Sequence, residues 1–360
     1  MTRTLVFVSH TGEVSGAELV MLELMRLAKV RGHSVVLACA EGPLRKRAAD
    51  IAEIIELPVL GLRGESGFDR ISAITTVVKN WRKAGRVIAS RTRGSNATVI
   101  VNSLFALPAI RLGGVDGGAT WLVHDTLSSA KQRIVVRIAK PAIVKAVAVS
   151  GPTSVPVRQL GVHTTISRLG VPVPADVVDI NSPATGVIGI MGSITPWKGH
   201  QVLLDAVAEI PEITLEVAGT AFPGDETYVE ELQRRSALPD LAGRVRFLGH
   251  VDALSTVQRW DLAISASTSP EAGPLVLLEA MSAGVPVIGT NHGGTSEVLA
   301  DGAGSLVAVG DASQLASEIS RLLADHACRT ELAGKGRRRV VERYDIKKNL
   351  PAMLQELVND

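Results

Sequence analysis

The sequence predicts two doubly wound α/β domains facing across a cleft, each a parallel sheet wrapped in helices. Its 360 residues exceed the ~250–300 at which a single hydrophobic core stops growing. Short Val- and Ala-rich runs without strict alternation recur in both halves, and most are followed by a helix-length segment. This is the pattern of strands buried on both faces in βαβ units. The charge also changes sign along the chain: residues 1–175 hold 23 Lys and Arg against 11 Asp and Glu, and residues 176–360 hold 15 against 25. A net charge of only +2 conceals that asymmetry, which places a boundary near 175 and gives the halves different partners.

In chain order, "TLVFVSH", "SVVLACA", "ATVIVNS", "ATWLVHD" and "KAVAVS" supply the strands of a first domain over 1–175. "GVIGIMGS", "ITLEVAG", "VRFLGH", "DLAISAS" and "VPVIGT" supply those of a second over 176–345. The Pro- and Asp-rich stretch "LGVPVPADVVDINSPATG" reads as the linker, and 346–360 as a C-terminal helix packing back on the first domain. Apolar residues make up 46% of the chain, which excludes a disordered protein. Cys39 and Cys328 are far apart and in no metal-ligand spacing, so neither a disulfide nor a zinc site is expected. The opening "MTRTLVFVSH" lacks the segments of a secretory signal. No run reaches the ~18–20 apolar residues of a membrane span. The expectation is a cytoplasmic protein, with a peripheral place on the inner face of the membrane left open.

Ligands of doubly wound sheets sit beyond the carboxyl ends of the strands, and four such ends carry chemistry. After the first strand, "SHTGEVSGAELV" places Gly12 and Gly16 in a loop entering a helix, whose free N–H groups suit an anion. The loop is neither GxGxxG nor a P-loop, and glycines serving only the turn are the alternative. His124 ends the strand of "WLVHDT", where an imidazole either donates to a hydroxyl or a developing charge or is simply structural. In "IMGSITPWKGHQVLLDAV", Lys198 opens an amphipathic helix after a strand end. A cation there is unfavourable unless an anion arrives, which points to phosphate; an ordinary exposed lysine is the alternative. In "TSPEAGPLVLLEAMSAG", Glu271 lies on the loop at a strand end, Pro274 takes a first-turn position and Gly284 stops the helix. The amides of Gly273, Leu275 and Val276 are uncapped there. Glu279 falls on the second turn of an otherwise apolar helix. A buried carboxylate is costly without a partner, and the hydroxyl pair of a ribose would be one; an exposed position is the alternative.

These stretches resemble the retaining nucleotide-sugar glycosyltransferases of the two-domain GT-B architecture, family four (glycosyltransferase group 1). Glu271 and Glu279 match the family's glutamate, seven residues, glutamate motif. "PEAGPLVLLEAMSAGVPVIGT", "GGTSEVL", "GSITPWKGH", "VAGT" and "FLGHV" match in order and spacing, most strongly from Gly186 to about Gly304. The resemblance implies transfer of a hexose-type sugar from a nucleotide-diphosphate sugar, UDP favoured, to a hydroxyl of a lipid-linked glycan, polysaccharide or small-molecule glycoside. It also implies front-face attack with retention, and no metal or other cofactor.

On the matching positions, the resemblance implies that Glu271 binds donor-sugar hydroxyls, with Gly273, Pro274, Leu275 and Val276 holding sugar or diphosphate. Glu279 would bind the ribose, and His250 and Val251 would flank the base. Lys198 would neutralise the leaving diphosphate, the Gly16 loop would close on it, and His124 would contact the transferred sugar. Ser193 stands where the family usually has an arginine, so one fixed positive charge on the diphosphate is missing.

The basic first domain is the expected acceptor domain. "FDRISAITTVVKNWRKAGRVIASRTR" places Ile71, Ile74, Val78, Trp81 and Ile88 at helical spacing beside Lys79, Arg82, Lys83 and Arg86. Such a helix either lies on anionic lipid, serving a lipid-linked or anionic acceptor, or covers its own sheet with its cations in water. Nucleic acid is not expected, because the basic segments lack interleaved stacking aromatics. A nucleotide-sugar 2-epimerase, which shares the two-domain fold, and an inactive nucleotide-sugar-binding regulatory protein are the alternatives; Ser193 speaks for the latter.

Overall fold

The computed structural model describes residues 2–61, 69–178 and 183–359. Residues 179–182 of the expected linker and the side chain of Ile71 lie outside the described residues. The chain divides into two compact units, Met1–Leu169 with Lys348–Asp360, and Gly170–Lys347.

The first unit is built on seven parallel strands: β1 (Thr4–Val8), β2 (Ser34–Cys39), β3 (Glu53–Glu56), β4 (Ala97–Val101), β5 (Ala119–Val123), β6 (Ile143–Ala148) and β7 (Thr164–Ile166). Their order is β3-β2-β1-β4-β5-β6-β7. β1 and β5 are buried almost throughout, as apolar runs sandwiched by helices must be. The helix Gly16–Val30 buries Val20, Met21, Leu24, Met25 and Ala28, a 3.6-residue stripe.

The helix Asp69–Thr92 covers its sheet. Val77, Ala84, Ile88 and Thr92 are buried and Trp81 packs on the same core, so the face marked by the apolar spacing turns inward only in part: Ile74 is 46% exposed and Val78 half-buried. The reason is steric. Gly85 meets the helix Leu107–Gly113 so closely that a Cβ at Gly85 would lie 2.0 Å from the carbonyl oxygen of Ala109. This approach turns Val77 inward, and the Trp81 indole N–H donates to the Phe105 carbonyl at 2.8 Å. Lys79, Arg82, Lys83 and Arg86 face solvent.

The second unit is a six-stranded parallel sheet of β8 (Val187–Met191), β9 (Thr214–Ala218), β10 (Val245–Gly249), β11 (Leu262–Ser265), β12 (Val287–Thr290) and β13 (Ser305–Val307). The order β10-β9-β8-β11-β12-β13 reverses between β8 and β11, which opens a crevice at their carboxyl ends. Gly189 of β8 lies flat under the buried ring of Trp260, where a Cβ would sit 2.0 Å from the indole. At the C-terminus, the helix Ile346–Val358 buries Met353, Leu354 and Leu357. Asn349 donates to the Leu169 carbonyl at 2.7 Å and Arg3 to that of Val358 at 3.0 Å, which fastens the tail to the first unit. Among the described residues, no helix is long and apolar enough to cross a membrane.

Candidate active site

The crevice of the second unit gathers most of the residues that the sequence singles out. β8 runs into Gly192 and half-buried Ser193. The chain then makes a short 3-10 turn, Pro196–Lys198, before the helix His200–Ala208. Lys198 therefore stands on the turn ahead of the helix and does not open it, contrary to the sequence expectation. Between them Gly199 adopts φ 75°, and a Cβ there would come within 1.8 Å of the Ala266 carbonyl oxygen. Only glycine allows the reversal that brings Lys198 back over the end of β11.

Across the switch, β11 ends at Ser265 and the loop to the next helix carries Glu271, 8% exposed. Lys198 Nζ donates to Glu271 Oε2 at 2.7 Å. Ser265 Oγ donates to Oε1 at 3.1 Å, and Ser267 Oγ donates to the same oxygen. Burial acts to raise the Glu271 pKa. The Lys198 charge and the hydrogen bonds from Lys198, Ser267 and Ser265 outweigh it, so the carboxyl lies below its ordinary range and is ionised. Lys198 Nζ also sits 4.5 Å from the ring centroid of Trp197, which is 41% exposed.

The loop's backbone is held from the next strand. The Gly294 amide donates to the Glu271 carbonyl at 2.7 Å, and a Cβ at Gly294 would lie 2.1 Å from the carbonyl oxygen of Ala272. At Gly293, φ 56°, a Cβ would lie 2.6 Å from the Glu271 carbonyl oxygen. Thr290 Oγ1 donates to the Ser267 carbonyl at 2.8 Å, and His292 Nε2 lies 2.7 Å from the same oxygen. The paired glycines at the end of "VPVIGTNHGG" are thus what seats Glu271.

After Glu271, Gly273 and Pro274 lead into the helix Leu275–Ser282, with Pro274 just before the first turn and no side chain capping the amides of Leu275 and Val276. Gly284 follows the helix at φ 82°. Glu279 is half-buried; its carbonyl accepts from Ser282 Oγ at 2.8 Å, while its carboxyl makes no hydrogen bond among the described residues. Burial first, and the charge of Asp252 second, push its carboxyl up to about 7. Asp252 caps the helix Ala253–Val257 directly after exposed His250 and half-buried Val251, so this segment and Glu279 are electrostatic neighbours. Among the described residues, no group of three or more His, Cys, Asp or Glu could hold a metal ion.

Gly16 and His124 belong to the first unit. The helix that begins at Gly16 meets its own acid: Glu18 Oε2 accepts the Ser15 amide at 3.1 Å and the Ser15 hydroxyl, while Ser9 Oγ donates to Oε1 at 3.4 Å. His124 follows β5 with a buried Nε2 that has no partner among the described residues, and burial lowers its pKa to about 4, so the ring is neutral at pH 7. Beside it, Asp125 accepts the Leu104 amide at 3.1 Å, and burial pushes its carboxyl up to about 6. Sequence reading missed Ser265, Ser267, Thr290 and His292; alternating serines at a strand end in "SASTSPEAG" were the available signal.

Residues 181–339 match the family described as Glycosyl transferases group 1. The match lies wholly within the second unit. The lipopolysaccharide core biosynthesis glycosyltransferase LpsE of Rhizobium meliloti (strain 1021) is 30% identical over 205 residues, covering 56% of this chain and 58% of LpsE. A phosphatidyl-myo-inositol mannosyltransferase of Mycolicibacterium smegmatis is 37% identical over 158 residues, 42% of this chain and 39% of that enzyme. The chain thus spans little more than half the length of these relatives, or less. The fold is GT-B: HepE of Anabaena, solved with UDP and glucose, superposes with a TM-score of 0.80 at 22% identity over 99% of this chain and 100% of HepE. WaaG, a glycosyltransferase involved in lipopolysaccharide biosynthesis, gives 0.70 at 16% identity over 99% and 100%.

Proposed function

We propose that this group 1 glycosyltransferase moves a hexose-type sugar from a nucleotide-diphosphate sugar, UDP favoured, to an acceptor hydroxyl with retention of configuration. The observation that carries the reading is the ionised Glu271, paired with Lys198 and seated at the sheet's switch point, eight residues before the unpartnered carboxyl of Glu279. Ribose hydroxyls satisfy Glu279, and the transferred sugar meets Glu271. The uncapped amides at Leu275 and Val276 and the Lys198 ammonium face the charge that grows on the departing diphosphate. As the sugar–phosphate bond breaks, the anomeric carbon becomes oxocarbenium-like. The acceptor oxygen attacks the same face, and its proton passes to the leaving phosphate, so no protein nucleophile and no metal is required. The HepE complexes with UDP and with UDP-glucose support a uridine donor for this fold.

The acceptor side is lipid-linked or glycan. An anionic bilayer surface is met by the helix Ala130–Ala139, where Ile134 (52%) and Ile138 (45%) stand exposed among Lys131, Arg133, Arg137 and Lys140. Incubation with UDP-glucose, GDP-mannose and ADP-glucose in turn, followed by proton NMR, tests the reaction. Slow release of the α-anomer of the free sugar and the nucleoside diphosphate is expected, and Glu271→Ala should abolish it. Appearance of a 2-epimeric nucleotide sugar, or release of the β-anomer, would contradict the assignment.

A further inference from the structure

We infer that Ser265 and Ser267 are positioning residues that commit Glu271 to a single hydroxyl of the bound sugar. An ionised carboxylate offers about four acceptor positions on its two oxygens. In Glu271, Oε1 receives both serine hydroxyls and Oε2 receives the Lys198 ammonium. Three positions are filled and one remains, on Oε2. The serines cannot readily swing away. Ser267 is fully buried, with its carbonyl held by Thr290 Oγ1 and His292 Nε2, and Ser265 is the last residue of β11. The Gly294 amide fixes the backbone of Glu271 itself. Carboxylate rotation, which would present both oxygens to a vicinal diol, is therefore blocked from three sides. Glu271 reads one hydroxyl through one oxygen, whereas the Glu279 carboxyl, with no hydrogen bond among the described residues, can take a diol with both.

The inference rests on Glu271 being the donor-sugar residue, and the experiment separates the two claims. Calorimetry on the wild-type protein compares UDP with UDP-glucose, GDP with GDP-mannose and ADP with ADP-glucose. The pair that binds is then followed through monodeoxy analogues of its sugar. Removing one particular hydroxyl is expected to weaken wild-type binding about tenfold, the scale of a hydrogen bond to a charged group, and that loss should vanish in Glu271→Ala. Ser267→Ala and, separately, Ser265→Ala should keep the affinity for the nucleoside diphosphate and lose most of the extra affinity that the sugar adds. Retained diphosphate binding shows that each variant is folded. Two or more hydroxyls coupled to Glu271, or serine variants that keep the full sugar increment, would overturn the inference. If the wild type bound no pair at all, the functional reading itself would fall before any variant was made.

Discussion

Glu279 and Glu271 are both carboxyls in one crevice, yet their surroundings drive them in opposite directions. Burial and the charge of Asp252 hold Glu279 near 7, above its ordinary 4.5. Its folded form therefore binds a proton more tightly than the unfolded chain does. The contribution to stability is full below about 4.5 and is lost as pH rises through 7. Under the proposed function, donor binding follows the opposite course, because ribose hydroxyls need the carboxylate. Affinity for the nucleoside diphosphate should rise about tenfold from pH 6 to pH 8, and Glu279→Gln should flatten the profile. A flat wild-type profile by calorimetry would contradict this. Glu271 is held low, so the stability it contributes is present above the unfolded-chain pKa and is lost as pH falls. Lys198→Ala strands that buried charge and should cost about 3–5 kcal/mol at neutral pH. Denaturation midpoints of wild type and variant should converge toward pH 4; a constant gap would mean that the ion pair is not the cause.

At the scale of elements, glycines determine how closely the pieces of the site approach. Gly294→Ala places a Cβ 2.1 Å from the Ala272 carbonyl oxygen, so the Glu271 loop must shift. The sugar increment in donor binding should disappear while the diphosphate still binds. Gly189→Ala drives a methyl into the Trp260 ring, away from the crevice, and should cost about 1–3 kcal/mol of stability with donor affinity unchanged. The two glutamates and Lys198 were legible in the sequence because their spacing recurs as a unit with its flanks. Thr290 and His292 were not, since they meet Ser267 only between strand ends more than twenty residues apart, and Ser267, four residues before Glu271, was passed over. The helix Asp69–Thr92 offered two overlapping apolar faces, and only its close crossing at Gly85 selects Val77 over Ile74. Ile74, exposed on the basic helix Asp69–Thr92, and the exposed isoleucines of Ala130–Ala139 are the lipid-facing candidates. Flotation with anionic vesicles should be lost in Ile134→Ser/Ile138→Ser, and equal absence of the wild type from anionic and neutral vesicles would remove the idea.

For the whole molecule, the proposed function requires the acidic second unit to hold an anionic donor although the excess of basic residues lies in the first half. Lys198 and the helix amides of Leu275 and Val276 make this possible by acting locally, where net charge matters less than dipoles aimed at one point. The doubly wound topology was readable from alternating runs. The sequence also predicts a C-terminal helix over 346–360 that packs back on the first domain; Lys348–Asp360 groups with the first unit, where Arg3 donates to the Val358 carbonyl. The most direct test of the central claim is calorimetry with UDP, GDP, ADP and dTDP and their common sugar nucleotides, on wild type and Glu279→Ala, with and without magnesium. One sugar nucleotide should bind wild type equally well in both conditions, adding about 2.7 kcal/mol of stability at a hundred times its Kd, and should be lost in the variant. Binding that ignores Glu279→Ala, or no binding by wild type, would contradict a nucleotide-sugar site in this crevice.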